Sequence, residues 1–271
     1  MLNSFAAETI HVSLPAEAIF HIGSLPISNS MIMLMLTTSI LLLTFFSTAR
    51  AFKAGKPNRL HLAIHWLFEI LLNTVEQVAG SREKGRRIAP LAITMFFVVL
   101  FGYYGGILPV VGAVTYNETE LFRGGVADLN FTFALAVISM VAVQLFAIRQ
   151  FGLYGNIKRY LVNPLKNPAG SFEGFLELIA EFSRGIALSF RLFGNVFAGE
   201  VLLLVIAFLT GYLTPIVQPF FLAFELFIGA IQAYVFFMLT VVFISLGSSS
   251  HGSHPDEDKH DKPAKPVAAT V

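Results

Sequence analysis

The sequence predicts an all-α membrane protein: five membrane-crossing helices plus one interfacial amphipathic helix, the last two crossings forming a long, steeply tilted antiparallel hairpin. Three observations point there. Of the 271 residues, 55% are hydrophobic and only 13% charged, so a bilayer rather than a soluble core must take up the apolar surface. Apolar runs of spanning length recur along the chain, separated by short charged loops. A solitary Arg191 lies in the middle of the longest run, where its neighbours at three and four positions are Ala187, Leu188, Gly194 and Asn195. None of these can neutralise a guanidinium.

In chain order, residues 1–30 contain no Lys or Arg and carry Glu8 and Glu17. Without the basic start of a secretory signal, they read as an extracytoplasmic N-terminal segment of the mature protein. Residues 31–247 read as one transmembrane domain. Its first run, about 31–49, is followed by Arg50, Lys53, Lys56 and Arg59 with no acid between them. Arg149, Lys158, Arg159 and Lys166 follow the run at about 129–148 in the same way. The positive-inside rule puts both loops in the cytoplasm. The loop with Glu118, Glu120 and Asp128, after the run at about 88–109, then lies outside, with the N-terminus outside and the C-terminus cytoplasmic. Residues 60–80 are apolar but carry His61, His65, Glu69 and Glu76, with basic residues on both flanks, Arg82, Lys84, Arg86 and Arg87 following. Such a segment reads as a helix lying in the cytoplasmic interface.

The run at about 171–210 holds no proline and is bounded by Pro168 before it and by Gly211 and Pro215 after it. As one helix it would measure about 60 Å, twice a hydrocarbon core of about 30 Å, so it must tilt steeply or lie partly along the membrane. The uncharged connection from Gly211 to Pro219 returns the chain into the run at about 220–246, which makes the hairpin. Residues 248–271 change abruptly to Ser, His, Asp, Lys and Pro and read as a disordered cytoplasmic tail.

An arginine at the centre of a membrane helix costs about 2.5–3.5 kcal/mol, so Arg191 should face a partner or a watery path. Arg184, Ala187, Leu188, Arg191, Asn195 and Ala198 form one stripe at the helical period, and its small residues let another helix approach. The stripe reads as a docking face. Snorkelling to a headgroup would demand a reach of roughly 30 Å along the axis. Glu173 fits simple stabilisation of a helix start. Glu177 and Glu181, further in, fit either that or a water-filled entrance from the cytoplasm. Glu200, nine residues after Arg191, faces the opposite side of the helix. A turn near Pro215 would bring Glu200 level with Ile231 and Gln232, and Glu225, on the same face as Gln232, about 10 Å nearer the outside. Two carboxylates and an amide would then line one outer aqueous path, and buried acids in series mark ion routes. Glu225 could instead be an ordinary interface acid, and Gln232 a hydrogen-bonding link between helices.

Other chemistry has little support. With no cysteine, disulfides, thiolate metal sites and thiol nucleophiles are excluded. A net charge of +1 gives no basic surplus for nucleic acid. His61 and His65 lack a third ligand, His251, His254 and His260 lie in the tail, and the Asn117 sequon is a pattern common by chance. The residues call for no cofactor and no metal.

The stretch Ser183 to Leu203, SRGIALSFRLFGNVFAGEVLL, resembles the signature of subunit a of the F-type ATP synthase. The likeness rests on Arg191-Leu192-Phe193-Gly194-Asn195 followed by Ala198-Gly199-Glu200, on Glu225 and Gln232, and on Ala127-Asp128-Leu129-Asn130. It extends from about residue 30 to 247, and the acidic, His-containing tail departs from the family's short ending. The resemblance implies a stator ion channel with two offset half-channels, working against a rotating ring of c subunits and held by peripheral stalk b subunits and membrane lipid. It implies that Arg191 faces the ring carboxylate, that Glu200, Asn195, Glu225 and Gln232 line the outer half-channel, and that Glu177 and Glu181 line the inner one. The ion implied is a proton, with sodium as the alternative, and the expected location is a bacterial plasma (inner) membrane. An independent secondary transporter would show internal repeats, and none is evident. A structural scaffold would leave Arg191 and Glu200 without an energetic reason.

Overall fold

A computed structural model describes residues 17–22, 25–108, 111, 114–116, 119–160 and 168–249. The tail from residue 250 with its histidines, Asn117, and the first sixteen residues of the N-terminal segment lie outside the described residues. Among the described residues six helices carry the fold: α1 (Asn29–Lys53), α2 (Arg59–Val78), α3 (Arg82–Gly106), α4 (Leu129–Tyr160), α5 (Pro168–Thr210) and α6 (Thr214–Ser249). Two antiparallel ribbons accompany them, β1 (Ala18–Ile22) with β2 (Leu25–Ser28), and β3 (Thr115–Tyr116) with β4 (Thr119–Glu120). Apart from these ribbons the chain is a helical membrane protein. Among the described residues four helical stretches are long and apolar enough to cross a bilayer: Asn29–Lys53, Arg82–Gly106, Leu129–Ile157 and Gly170–Gly247.

The last stretch runs 78 residues and contains both final apolar runs of the sequence, divided only by a 3-10 turn at Gly211–Leu213. The connection is therefore shorter than the Gly211 to Pro219 segment that its composition suggested. Gly211 takes φ +49°, which glycine adopts without steric cost. Pro215 falls in the first turn of α6, where its missing N–H is not needed. The Thr214 hydroxyl donates to the Ala207 carbonyl at 3.0 Å and fastens the turn.

Helices also outrun their apolar segments elsewhere. α3 begins at Arg82, capped by the Ser81 hydroxyl, which accepts from the Lys84 N–H at 3.3 Å. It passes through Pro90 inside the helix. Hydropathy marks the part that meets hydrocarbon, whereas caps decide where a helix starts. α4 continues past residue 148 to Tyr160, but only by breaking at Gly152, whose φ of 75° and ψ of 164° are open essentially to glycine.

The core gathers around α3. Ala92, Val99 and Tyr103 of α3 are buried with Leu71 and Val75 of α2, Leu188, Leu192 and Val196 of α5, and Phe236, Phe237 and Val241 of α6. Glycines permit the closest approaches, as is usual between membrane helices. A Cβ on Gly85 would stand 2.7 Å from the Glu76 Cα of α2, and one on Gly229 would meet the Tyr103 ring at 2.6 Å. Two buried hydroxyl pairs fix α4 against its neighbours: Thr132 with Ser189 of α5 at 3.3 Å, and Ser139 with Thr240 of α6 at 3.1 Å. Ser30 of α1 donates to Asp128 at 2.8 Å, and the same carboxylate caps α4 by accepting from the Asn130 N–H.

Helix α2 is not among the four apolar stretches. It rests Leu71 and Val75 on α3 while Leu60, Leu62, Trp66 and Phe68 stay exposed. Its histidines have local partners. His61 accepts from the Asn58 N–H and bonds Ser47, whereas His65 lies 3.6 Å from Glu69 and beside the Phe52 ring.

Candidate functional site

The notable side chains on α5 divide between an outward face and two inward ones. Arg191 is exposed, and among the described residues it has no ion-pair partner. Exposed Ala187, Gly194 and Ala198 surround it, and a Cβ added at Gly194 would meet nothing within 4 Å. The stripe read from the sequence is narrower than its residue list. Leu188 is 2% exposed and turns into the core, and Arg184 folds inward over the Phe243 ring of α6 at 5.4 Å, a cation–π contact. The helical period gives a broad sector, and contact with α4 and α6 claims one edge of it.

On the inner side of α5, facing α3 and α6, lies a polar row. Glu225 of α6 is 2% exposed and accepts a hydrogen bond from the Tyr103 hydroxyl of α3. Its carboxylate fills the space that a side chain on Gly199 would need, since a Cβ there would fall 1.8 Å from Oε1. Next along the chain, Glu200 points its Oε1 at the backbone of Gly124, where a Cβ would come within 2.3 Å. Among the described residues that oxygen is buried with no hydrogen-bond partner. The buried Arg123 attracts the Glu200 carboxylate, while Glu120 and Glu225 repel it. Asn195 donates to Gln232 at 3.2 Å, and the Gln232 amide nitrogen is buried without a partner among the described residues.

These pairings set the depth register between α5 and α6. Gly199 and Glu200 come level with Glu225, and Asn195 with Gln232, so Glu225 is the neighbour of Glu200 and Gln232 lies deeper. Sequence alone suggested Glu200 beside Gln232. The difference follows from the shorter turn, which moves every level on α6 toward the connection.

The third group lies between α5 and α4. Glu181 accepts from the Gln144 amide and the Tyr160 hydroxyl of α4, and Asn156 donates to the Gln144 oxygen at 2.9 Å. Glu177, one turn earlier, is half-buried. A cleft of about 340 Å³ opens beside this group, lined by Met140, Gln144, Glu181, Phe182 and Gly185 among others.

The sequence pointed to Arg191, Glu200, Asn195, Glu225, Gln232, Glu177 and Glu181, but not to Tyr103, Arg123, Gln144, Asn156 or Tyr160. A tyrosine near a helix end reads as an interface anchor. Arg123, set among the acids of the loop between α3 and α4, reads as solvated. Its only sequence signal is the Gly124-Gly125 pair that follows, which allows backbone to close over a neighbouring side chain. Tyr103→Phe is expected to leave a buried carboxylate oxygen unpaired and to cost about 1–3 kcal/mol of stability. Thermal unfolding of the purified protein in detergent measures this, and an unchanged midpoint would refute it.

The comparisons with known proteins agree on one family. The profile of the ATP synthase A chain family matches residues 31–245. The chain is 30% identical over 243 residues to an ATP synthase subunit a of Desulforamulus reducens, covering 87% of this chain and 85% of that protein. It is 30% identical over 218 residues to the ATP synthase subunit a of Mycobacterium tuberculosis, covering 79% and 84%. A protein of Vibrio campbellii named ATP synthase subunit a 2 is 30% identical over 228 residues, covering 82% and 89%.

Proposed function

The chain belongs to the ATP synthase A chain family, and from that membership we propose that it is the stator ion channel of the membrane sector, delivering protons to and from the carboxylates of a rotating c-ring through two offset half-channels. The observation that carries the proposal is the division of charge on α5. Arg191 stands on an open face of small residues, whereas Glu225 is buried and Glu200 is half-buried, with its Oε1 enclosed, on another side of the same helix pair. A guanidinium in an apolar setting calls for an acid, and the described residues hold none in contact with it. A neighbouring rotor that brings one carboxylate at a time supplies it.

In this mechanism Arg191 attracts each passing carboxylate and keeps it charged while it crosses between the half-channels. Its own charge repels cations and blocks a direct path between them. Glu200, Glu225, Asn195 and Gln232 line the outer route, and Glu177 with Glu181 line the inner one. The assembly includes peripheral stalk b subunits, and the chain sits in a bacterial plasma (inner) membrane with five crossings, α2 on the cytoplasmic surface and α5 with α6 as a tilted hairpin. The ion is a proton, and sodium-dependent activity of the intact complex would correct that assignment.

The absence of cysteine makes the docking face directly testable. Single cysteines at Ala187, Gly194 and Ala198 are expected to cross-link to an engineered cysteine on the ring's outer helices. A cysteine at Ala233, which is fully buried in α6, is expected not to. The reverse pattern would remove α5 from the rotor interface. An independent transporter would purify without ring or stalk.

A further inference from the structure

Tyr160 and Asn156 lie sixteen and twelve residues beyond Gln144 on the same helix, yet both hydrogen-bond to it, Tyr160 at 3.0 Å and Asn156 at 2.9 Å. A straight helix would carry Tyr160 about 24 Å away. The break at Gly152 makes the return possible, because its φ of 75° and ψ of 164° turn the last eight residues of α4 back along the helix. The returning piece delivers the Tyr160 hydroxyl to one oxygen of Glu181 while the Gln144 amide donates to the other. Asn156, 5% exposed, holds the Gln144 oxygen and so fixes which way that amide points. Both oxygens of a single carboxylate are thus engaged by neutral donors whose own orientations are set by further hydrogen bonds. Such an arrangement holds a carboxylate in one rotamer at little entropic cost.

Surface solvation explains none of this. A helix-start glutamate that only complements the dipole has no need of a tyrosine brought back through a glycine-only conformation. We infer that Tyr160 and Gln144 are positioning residues for Glu181, and that the fold-back at Gly152 exists to fix this carboxylate at the inner mouth of the ion path. The inference rests on the proposed function and adds to it the residues that orient the inner relay. Glu181 binds a proton arriving from the rotor side and releases the same proton to cytoplasmic water. Arg184, three residues on, lines the same small recess as Glu181, and Glu177 lies one turn toward the helix start. Among the described residues these two and Tyr160 are the charged or titratable groups beside Glu181, and Tyr160 is hydrogen-bonded to it.

The test is passive proton flux through membranes carrying the intact membrane sector, normalised to the amount of this chain retained. Tyr160→Phe is expected to lower flux about tenfold, as small misplacements of reacting groups do. Glu181→Gln should lower it by at least as much. The double variant should fall no further than Glu181→Gln alone, because a residue that works through Glu181 has no effect once the carboxylate is gone. Parental flux in Tyr160→Phe, or a further tenfold fall in the double variant, would overturn the inference. If Tyr160→Phe reduces retention in the membrane, the same cycle with Gln144→Met decides by the same two outcomes. Arg191→Ala is measured alongside. Coupled synthesis surviving there refutes the stator reading, whereas its loss together with parental flux in Tyr160→Phe refutes only the role of Tyr160 and Gln144.

Discussion

Arg191→Ala is expected to abolish coupled ATP synthesis in energised membrane vesicles while leaving the chain folded and assembled. The side chain is exposed, so its removal opens no cavity in the core. What goes is the charge. An ion pair at about 4 Å is worth about 4 kcal/mol at an effective dielectric of 20, and a loss of that size slows carboxylate passage roughly a thousandfold. Without the positive barrier, protons also slip between the half-channels and dissipate about 2.3 kcal/mol per 100 mV for each charge. Synthesis should fall to the level of unenergised vesicles, and passive leak should rise. Lysine keeps the charge but loses the planar fork, so Arg191→Lys should retain part of the barrier to leak and little synthesis. Ordinary coupling in Arg191→Ala would end the proposed role.

Glu200→Gln should assemble normally and conduct poorly. The amide is nearly isosteric with the carboxyl, so the close fit against Gly124 survives. Its exchangeable proton does not. Positioned acid–base groups contribute about 10²–10⁴-fold to proton transfer, and flux through the membrane sector should drop by about the lower figure. Among the described residues the Oε1 of Glu200 is buried without a hydrogen-bond partner, and a place in a proton path accounts for that unpaired oxygen. Parental flux with full subunit content would take Glu200 out of the path. The neighbouring Glu225 is held by Tyr103 and by the absence of a side chain at Gly199, so Gly199→Ala offers a geometric counterpart that displaces a carboxylate without removing one.

What could be read from the sequence was whatever depends on one helix at a time. Arg191 announced itself because no acid lies within a turn of it, and periodicity alone put Glu200 on another face. The long α5 and the run that returns after it were legible from unbroken hydropathy between Pro168 and Gly211. Whatever depends on two helices was harder. The level of Glu200 against α6 turned on a few residues of connection length, and Leu188 sat at the edge of a stripe that only packing could trim. Tyr103 and Gln144 carry no signal of their own, since each matters through a partner 122 or 37 positions away. The Gly152 reversal was hidden inside a stretch whose composition continues to favour helix. The two short ribbons had too few residues for an alternating pattern to register.

The hydroxyl pairs that join α4 to its neighbours have a mechanical consequence. A stator is pushed sideways by the rotor it restrains, and under the proposed mechanism that reaction force enters at α5. Apolar contacts resist compression but slide under shear, because no direction along the interface is preferred. The Thr132 to Ser189 and Ser139 to Thr240 links start two turns apart on nearly one face of α4 and tie that face to α5 and to α6. Each pins one helix at one azimuth, so α4, α5 and α6 carry the load as a braced frame and do not creep as three greased rods.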